Sequence, residues 1–95
     1  MIPITNTPWG EIQSVQSLNK SVLYVSTAGH GGFGVLHGSK EFFKLSPASF
    51  AFSRQYCGDL ADVCGYQWFE EDHGQQILAQ DLPELFPHIQ PKEAA

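Results

Sequence analysis

The sequence contains little positive charge, few cysteines and no long apolar run. Lysine and arginine total five among 95 residues, against ten aspartates and glutamates, and the net charge is −5. The basic residues are scattered and build no stripe of the kind that neutralises phosphates, so we expect no direct nucleic-acid binding. The longest apolar runs fall far short of the ~20 residues that cross a bilayer, so we expect no contact with a membrane.

The chain has two cysteines, Cys57 and Cys64, whereas a small secreted scaffold usually carries several pairs. Residues 1–6 contain neither the charged segment nor the apolar segment of a signal peptide. We therefore expect a reduced cytoplasmic setting in which both thiols are free and partly buried. The composition indicates no cofactor, and none is expected.

Apolar and aromatic residues are plentiful enough to form one core. Hydrophobic residues make up 42% of the chain, and the aromatic residues among them make up 13%. Each large aromatic side chain buries roughly 150–250 Å². We therefore predict a single globular domain over residues 1–95. Residues 1–8, which contain two prolines, are predicted to be an extended lead-in, and residues 90–95 a frayed tail.

Strand-like patterns occupy the first half of the chain. Residues 11–18 are modestly strand-like, and residues 21–27 are rich in β-branched and aromatic side chains. A glycine-rich segment, Gly29–Gly34, follows as a predicted loop, and residues 35–37 give a third strand. The simplest arrangement is a meander through residues 11–37.

The second half shows helical signals around one further strand. Ser46 is a good N-cap before Pro47, so a helix is predicted to begin there. Residues 66–69 are strand-like, residues 70–80 form a helix, and residues 81–86 form a short helical turn. We predict an α+β fold: a small antiparallel meander sheet from the N-terminal half, packed against two or three short helices from the C-terminal half. Apolar residues recur every four positions at Phe52, Tyr56 and Leu60, and Gly58 is expected to end the first helix before Leu60.

The glycine-rich segment matches the pattern G-x-G-x-x-G that binds dinucleotides. That chemistry requires a helix to begin there, because the helix N-terminus holds the pyrophosphate. Residues 35–38 are Val-Leu-His-Gly, which does not start a helix. The segment is therefore predicted to be a hairpin or bulged connection that uses positive φ, with His30 and Phe33 exposed near its tip.

Three consecutive acids, Glu70, Glu71 and Asp72, open the predicted second helix. Capping and the positive end of the helix explain them without a function. The alternative is an acidic patch, joined by Asp59, Asp62, Asp81 and Glu84, that faces a basic partner. A pair of hydrolytic carboxylates is a third option.

Histidines and cysteines offer nominal metal ligands. Zinc sites usually show close ligand pairs, such as two cysteines or two histidines a few residues apart, and this chain has none. We therefore expect no metal site. His30 is expected to bond to backbone or to a nearby glutamate. The nominal ligands are His30, His37, His73, Cys57 and Cys64.

Three segments carry a family resemblance. They are T-P-W-G at residues 7–10, S-T-A-G-H-G-G-F at residues 26–33 and W-F-E-E-D at residues 68–72. In this order and spacing the chain resembles a domain of unknown function found in small proteins of phages, plasmids and related mobile elements. The stretch 34–65 departs from the family pattern. The resemblance implies a mobile-element origin and a setting in the host cytoplasm.

Small acidic phage proteins often bind a host machine. By this analogy we expect a non-enzymatic accessory protein that inhibits a host protein complex, foremost an effector of nucleic-acid-guided (CRISPR) defence. It would do so by occupying a basic nucleic-acid-binding surface. The alternative is a small hydrolase or metal-dependent enzyme that uses His30 with Glu70 or Glu71. The predicted partner-binding residues are Glu70, Glu71, Asp72, Asp59, Asp62, His30 and Phe33.

Overall fold

Four strands form one antiparallel sheet, and their order in the sheet follows their order along the chain. They are β1 (Ser14–Ser17), β2 (Val22–Ser26), β3 (Gly31–Leu36) and β4 (Tyr66–Glu70). Each neighbouring pair is antiparallel, and Gly32 of β3 lies opposite Glu70 of β4. The end of β4 therefore lies beside the start of β3.

Three helices complete the α+β fold that the sequence predicts. They are α1 (Lys40–Phe43), α2 (Pro47–Cys57) and α3 (Glu71–Asp81). The N-cap prediction for α2 is confirmed, because the Ser46 side chain accepts a hydrogen bond from the Ser49 amide and Pro47 follows. Short 3₁₀ turns lie at Gly58–Leu60, Val63–Gly65 and Pro83–Leu85.

This computed structural model describes residues 7–87. The predicted tail at residues 90–95 and most of the predicted lead-in at residues 1–8 lie outside the described part. Within it, residues 7–10 form a tight turn in which the Gly10 amide donates to the Thr7 carbonyl oxygen at 3.2 Å. Trp9, which follows Pro8 in this turn, packs against the sheet, as described below.

The sheet buries apolar side chains on both faces, because successive residues of a strand point to opposite sides. One face carries Val22, Phe33 and Phe69, which pack against α3 and the segment after it. The other face carries Leu23, Val25, Tyr66 and Trp68, which pack against Trp9, Ile12 and Val63.

Helix α2 buries serines on the side that faces the sheet. Ser49 and Ser53 are buried, whereas Tyr56 is exposed. The Ser53 hydroxyl donates to the Trp68 carbonyl oxygen, and the Gln67 amide donates to Ser53 Oγ at 2.9 Å. Because α2 lies against β4, small hydroxyls fit there and satisfy polar groups of that strand.

The segment Gly29–Gly34 differs from its prediction as a loop. Its last four residues form the first part of β3, where Gly31 pairs with Ser26 and Gly32 with Val25. The hairpin connection is consequently only four residues long, from Thr27 to His30. Its closure uses the Thr27 amide, which donates to the His30 carbonyl oxygen at 2.7 Å.

Candidate functional site

The acids that follow β4 lie at the same end of the sheet as the hairpin that carries His30. Glu70 is the last residue of β4 and pairs with Gly32, which is two residues after His30. Asp72 and His30 are both exposed. The structure thus brings the imidazole and the acidic run to one end of the sheet.

Glu70 is the N-cap of α3. Its Oε1 accepts from the His73 amide at 2.6 Å and its Oε2 accepts from the Asp72 amide at 3.1 Å. The His73 Nδ1 atom also lies 3.4 Å from Glu70 Oε1. The capping interpretation of the acidic run is therefore correct for Glu70, whose oxygens satisfy amides that the helix leaves unpaired.

Glu71 has a different structural partner. Its Oε2 accepts a hydrogen bond from the Tyr24 hydroxyl at 2.7 Å. That bond, followed by burial and by the charges of Glu71 and Asp72, raises the pKa of Tyr24 to about 12. Gly31 makes room for this pair, because a Cβ there would lie 2.4 Å from the Tyr24 hydroxyl oxygen.

The prediction that Phe33 is an exposed partner-binding residue is wrong. Its side chain is only 6% exposed, since β3 begins before it and turns it into the core. Its ring packs against Tyr24 at 5.1 Å and against Phe86 at 5.2 Å between centroids. Phe33 therefore belongs to the core and stabilises the fold.

The glycines of β3 leave space on the sheet for two tryptophan rings. A Cβ on Gly32 would lie 2.1 Å from Trp9 Cη2 and 2.6 Å from the Phe69 carbonyl oxygen. A Cβ on Gly34 would lie 2.8 Å from Trp68 Cζ3. The Trp9 and Trp68 rings meet edge to face, with centroids 5.9 Å apart. The glycine-rich segment is thus a packing surface.

A second group of surface residues extends from the end of α2. The rings of Tyr56 and His73 stack with centroids 6.2 Å apart, so the end of α2 lies beside the start of α3. Tyr56 is 50% exposed and Leu60 is 42% exposed. Asp59 and Asp62, both exposed, lie in the segment that follows. That segment contacts β4, where the Trp68 amide donates to the Ala61 carbonyl oxygen at 2.8 Å.

These residues define what we call the aromatic–acidic surface. The sequence analysis did not identify its apolar part, because the four-residue spacing of Tyr56 and Leu60 does not show which side of the helix is exposed. The sequence signal that could have identified the exposed side of α2 is the recurrence of small residues every four positions, at Ser49, Ser53 and Cys57. The aromatic–acidic surface consists of Tyr56, Leu60, Asp59, Asp62, Glu70, Asp72 and His73.

Cys57 lies beneath this surface. Its thiol donates to the Trp68 carbonyl oxygen at 3.6 Å. Burial, and next the charge of Glu70, raise the pKa of the Cys57 thiol to about 11. A reactive cysteine needs the opposite shift, so the environment of Cys57 does not activate it as a nucleophile.

The described residues contain no group of three or more histidine, cysteine, aspartate or glutamate side chains placed to hold a metal ion. Over residues 7–87, no helix has the length and apolar character needed to cross a membrane.

The fold and surface define a small α+β domain whose distinctive sequence segments stabilise its sheet and helix ends. The chain belongs to the family described as the domain of unknown function DUF7007, whose sequence profile matches residues 3–95. Neither a curated protein nor a solved structure matches the chain.

Proposed function

We propose that this protein is a non-catalytic binding protein that inhibits a host protein complex by occupying a basic nucleic-acid-binding surface on it. The observation that carries the proposal is the exposure of Tyr56 and Leu60 among carboxylates at the junction of α2 and α3.

An exposed tyrosine beside an apolar side chain is suited to the centre of a protein interface. Tyrosine is enriched among residues that dominate binding energy, because it buries a large ring with little loss of side-chain freedom. The Tyr56 ring packs against Phe52, with centroids 4.6 Å apart, and against His73, with centroids 6.2 Å apart. A partner would therefore meet a preorganised ring.

The carboxylates of the aromatic–acidic surface favour a basic partner. Asp59, Asp62 and Asp72 are exposed, and within residues 7–87 the structure gives their side chains no hydrogen bond. They are available to pair with lysines or arginines that otherwise hold phosphates. The net charge of −5 would speed the encounter with such a surface.

The resemblance to proteins of mobile elements supports a narrower form of the proposal. In that form the partner is an effector of nucleic-acid-guided defence in the host cytoplasm. Such an effector holds its nucleic acid in a positively charged channel, which is the surface that an acidic protein of this size would occupy.

The alternative, a hydrolase that uses His30 with Glu70 or Glu71, has less support. Both oxygens of Glu70 accept amides of α3, and Glu71 accepts the Tyr24 hydroxyl. These carboxylates already accept structural hydrogen bonds. Glu70 or Glu71 would have to lose its bonds to act as a general base or a nucleophile.

A displacement assay tests the proposal. Purified CRISPR effectors loaded with labelled target DNA would be titrated with the protein, and release would be followed by gel shift at several salt concentrations. We expect release that weakens with salt and that weakens by about tenfold or more in Asp59→Lys, since reversing one interface charge often costs over 1.4 kcal/mol. Tyr56→Ala should also lose activity.

The matched control is Glu84→Lys, which changes the net charge equally. Glu84 lies beyond the far end of the 11-residue α3, where it pairs with Lys44 at 3.5 Å. Equal losses of release activity in Asp59→Lys and Glu84→Lys would show that only net charge matters. They would exclude the aromatic–acidic surface as the binding site. Absence of release from every effector tested would reject the narrower form.

A further inference from the structure

A cavity of about 460 Å³ opens between the β1–β2 turn and the start of α1. The turn precedes Val22, at the opposite end of β2 from the hairpin that carries His30. The cavity is therefore separate from the aromatic–acidic surface. It is lined by Asn19, Lys20, Ser21, Ser39, Lys40 and Glu41.

Glu41 is the buried member of this lining and is only 4% exposed. Its Oε2 accepts a hydrogen bond from Asn19 Nδ2 at 3.0 Å. Its Oε1 is also buried but has no hydrogen-bond partner among residues 7–87. One carboxyl oxygen is thus satisfied and the other is left without a donor.

Asn19 holds this arrangement in one orientation. Its Oδ1 accepts from the amides of Ser21 and Val22, each at 2.8 Å. Because the carbonyl side of the Asn19 amide is occupied by two backbone donors, its NH₂ side faces Glu41. The Asn19 side-chain amide therefore positions the Glu41 carboxyl group by its hydrogen bond to Oε2.

The unpartnered oxygen is exceptional, since nearly all buried polar groups in proteins have a partner. Leaving such a group without a donor is unfavourable, so a molecule that supplied an N–H or O–H group to Oε1 would be stabilised there. Lys20 and Lys40 are exposed beside it, one next to Asn19 and one next to Glu41 in the chain. Their ammonium groups can only donate, and they favour an anion.

We propose that this cavity binds a small molecule that carries an amino group beside an anionic group, either carboxylate or phosphate. The amino group donates to Glu41 Oε1, after a small shift of that side chain opens the oxygen to the cavity, and the anionic group contacts Lys20 and Lys40. The volume lies within the range of ligand pockets, which is roughly 300–1,000 Å³. This site is independent of the proposed inhibitory function.

An NMR titration of the ¹⁵N-labelled full chain tests the proposal with four probes. O-phosphoethanolamine and glycine carry both groups, ethanolamine carries only the amine and inorganic phosphate only the anion. We expect saturable shifts of the Asn19 side-chain amide with a two-group probe, and affinity at least about tenfold lower for each one-group probe. Comparing O-phosphoethanolamine with glycine identifies which anionic group is preferred.

Substitutions distinguish binding at a specific site from nonspecific attraction between charges. Glu41→Gln removes the acceptor charge and should weaken the two-group probe by about tenfold or more. The exposed variants Lys20→Gln and Lys40→Gln should each weaken it as well, and they keep the test valid if Glu41→Gln does not fold. Glu84→Gln should bind as the unmodified chain does.

Three results would overturn the proposal. One is the absence of saturable shifts with both two-group probes, which would indicate that Glu41 Oε1 is hydrogen-bonded by an ordered water alone. Another is equal affinity for phosphate alone and O-phosphoethanolamine, which would reduce the site to two surface lysines. The third is unchanged affinity in folded Glu41→Gln together with both lysine variants.

Discussion

The Tyr24 hydroxyl donates a hydrogen bond to Glu71 Oε2 at 2.7 Å and so joins strand β2 to the first turn of α3. The two residues are 47 positions apart in the chain. Gly31 on the neighbouring strand leaves space for the hydroxyl, because any side chain there would collide with it. One side-chain pair thus fixes the start of α3 relative to the sheet.

Removing this hydroxyl should destabilise the protein. For Tyr24→Phe we expect the free energy of unfolding to fall by about 1–2 kcal/mol, since the lost bond is to a charged acceptor. Urea denaturation at neutral pH measures the change. The matched control is Tyr56→Phe on the exposed surface, which should change stability by less than about 0.5 kcal/mol. Equal effects in the two variants would contradict the importance of the Tyr24–Glu71 bond.

The same pair predicts a dependence of stability on alkaline pH. The pKa of Tyr24 rises from 10.0 to about 12 on folding, so the phenol holds its proton more tightly in the native state. Its contribution is therefore complete below pH 10 and is lost as the pH rises towards 12. Denaturation midpoints measured across this interval should fall less steeply in Tyr24→Phe than in the unmodified chain. An identical slope would contradict the assignment.

Gly32→Ala should disrupt the packing of the two tryptophans. The added methyl group would meet both the Trp9 ring and the Phe69 carbonyl oxygen, and the backbone atom cannot move away easily. We expect a loss of about 1–3 kcal/mol or more, as for other overpacked cores. Gly29→Ala is the control, because a Cβ there has no atom within 4 Å. Urea denaturation followed by tryptophan fluorescence compares the two, and similar midpoints would contradict the packing argument.

Ser53→Ala tests the polar contact between α2 and β4. It removes the donor to the Trp68 carbonyl oxygen and the acceptor for the Gln67 amide, both of which are buried. We expect a loss of about 1–3 kcal/mol, although alanine is the better helix former. Ser17→Ala on exposed β1 should be close to neutral in the same denaturation experiment. A neutral Ser53→Ala would show that the hydroxyl is dispensable.

Cys57 should react slowly with alkylating reagents. Its pKa of about 11, against the ordinary 9.0, lowers the thiolate fraction at pH 8 by about a hundredfold. Iodoacetamide labelling, with the modified cysteine located by fragment mass spectrometry, should therefore be about tenfold or more slower in the folded chain than in urea. Equal rates under the two conditions would contradict the buried environment of Cys57.

Local sequence signals predicted the elements that depend on neighbouring residues. Ser46 and Pro47 begin α2 because a cap and a fixed φ act within one turn. The acidic run likewise begins α3, with Glu70 as its cap. Strand β2 follows from its β-branched and aromatic residues. Each of these signals is complete within a few positions of the chain.

Features that depend on distant residues could not be predicted in this way. Glycine has a low strand propensity, so the start of β3 looked like a loop, and Phe33 was placed at its tip instead of in the core. The reason for Gly32 is Trp9, which is more than 20 positions away in the chain. The inward face of α2 was not predicted, because it depends on the hydrogen bond that the Ser53 hydroxyl donates to the Trp68 carbonyl oxygen of β4.

The candidate site was predicted in part. The sequence indicated the acids and His30, and the structure places Glu70 and His30 at one end of the sheet. It could not show that Tyr56 and His73 stack, since that contact joins two helices across 17 positions. Likewise, the cavity beside Glu41 forms only when the β1–β2 turn meets α1, so no local pattern reveals it.

The edge-to-face meeting of Trp9 and Trp68 supplies an intrinsic spectroscopic probe. Indoles held at a fixed angle give a near-ultraviolet circular dichroism signal, which vanishes when tertiary packing is lost. Detachment of the turn at residues 7–10 can therefore be followed without a label, separately from the melting of the helices, whose signal lies in the far ultraviolet.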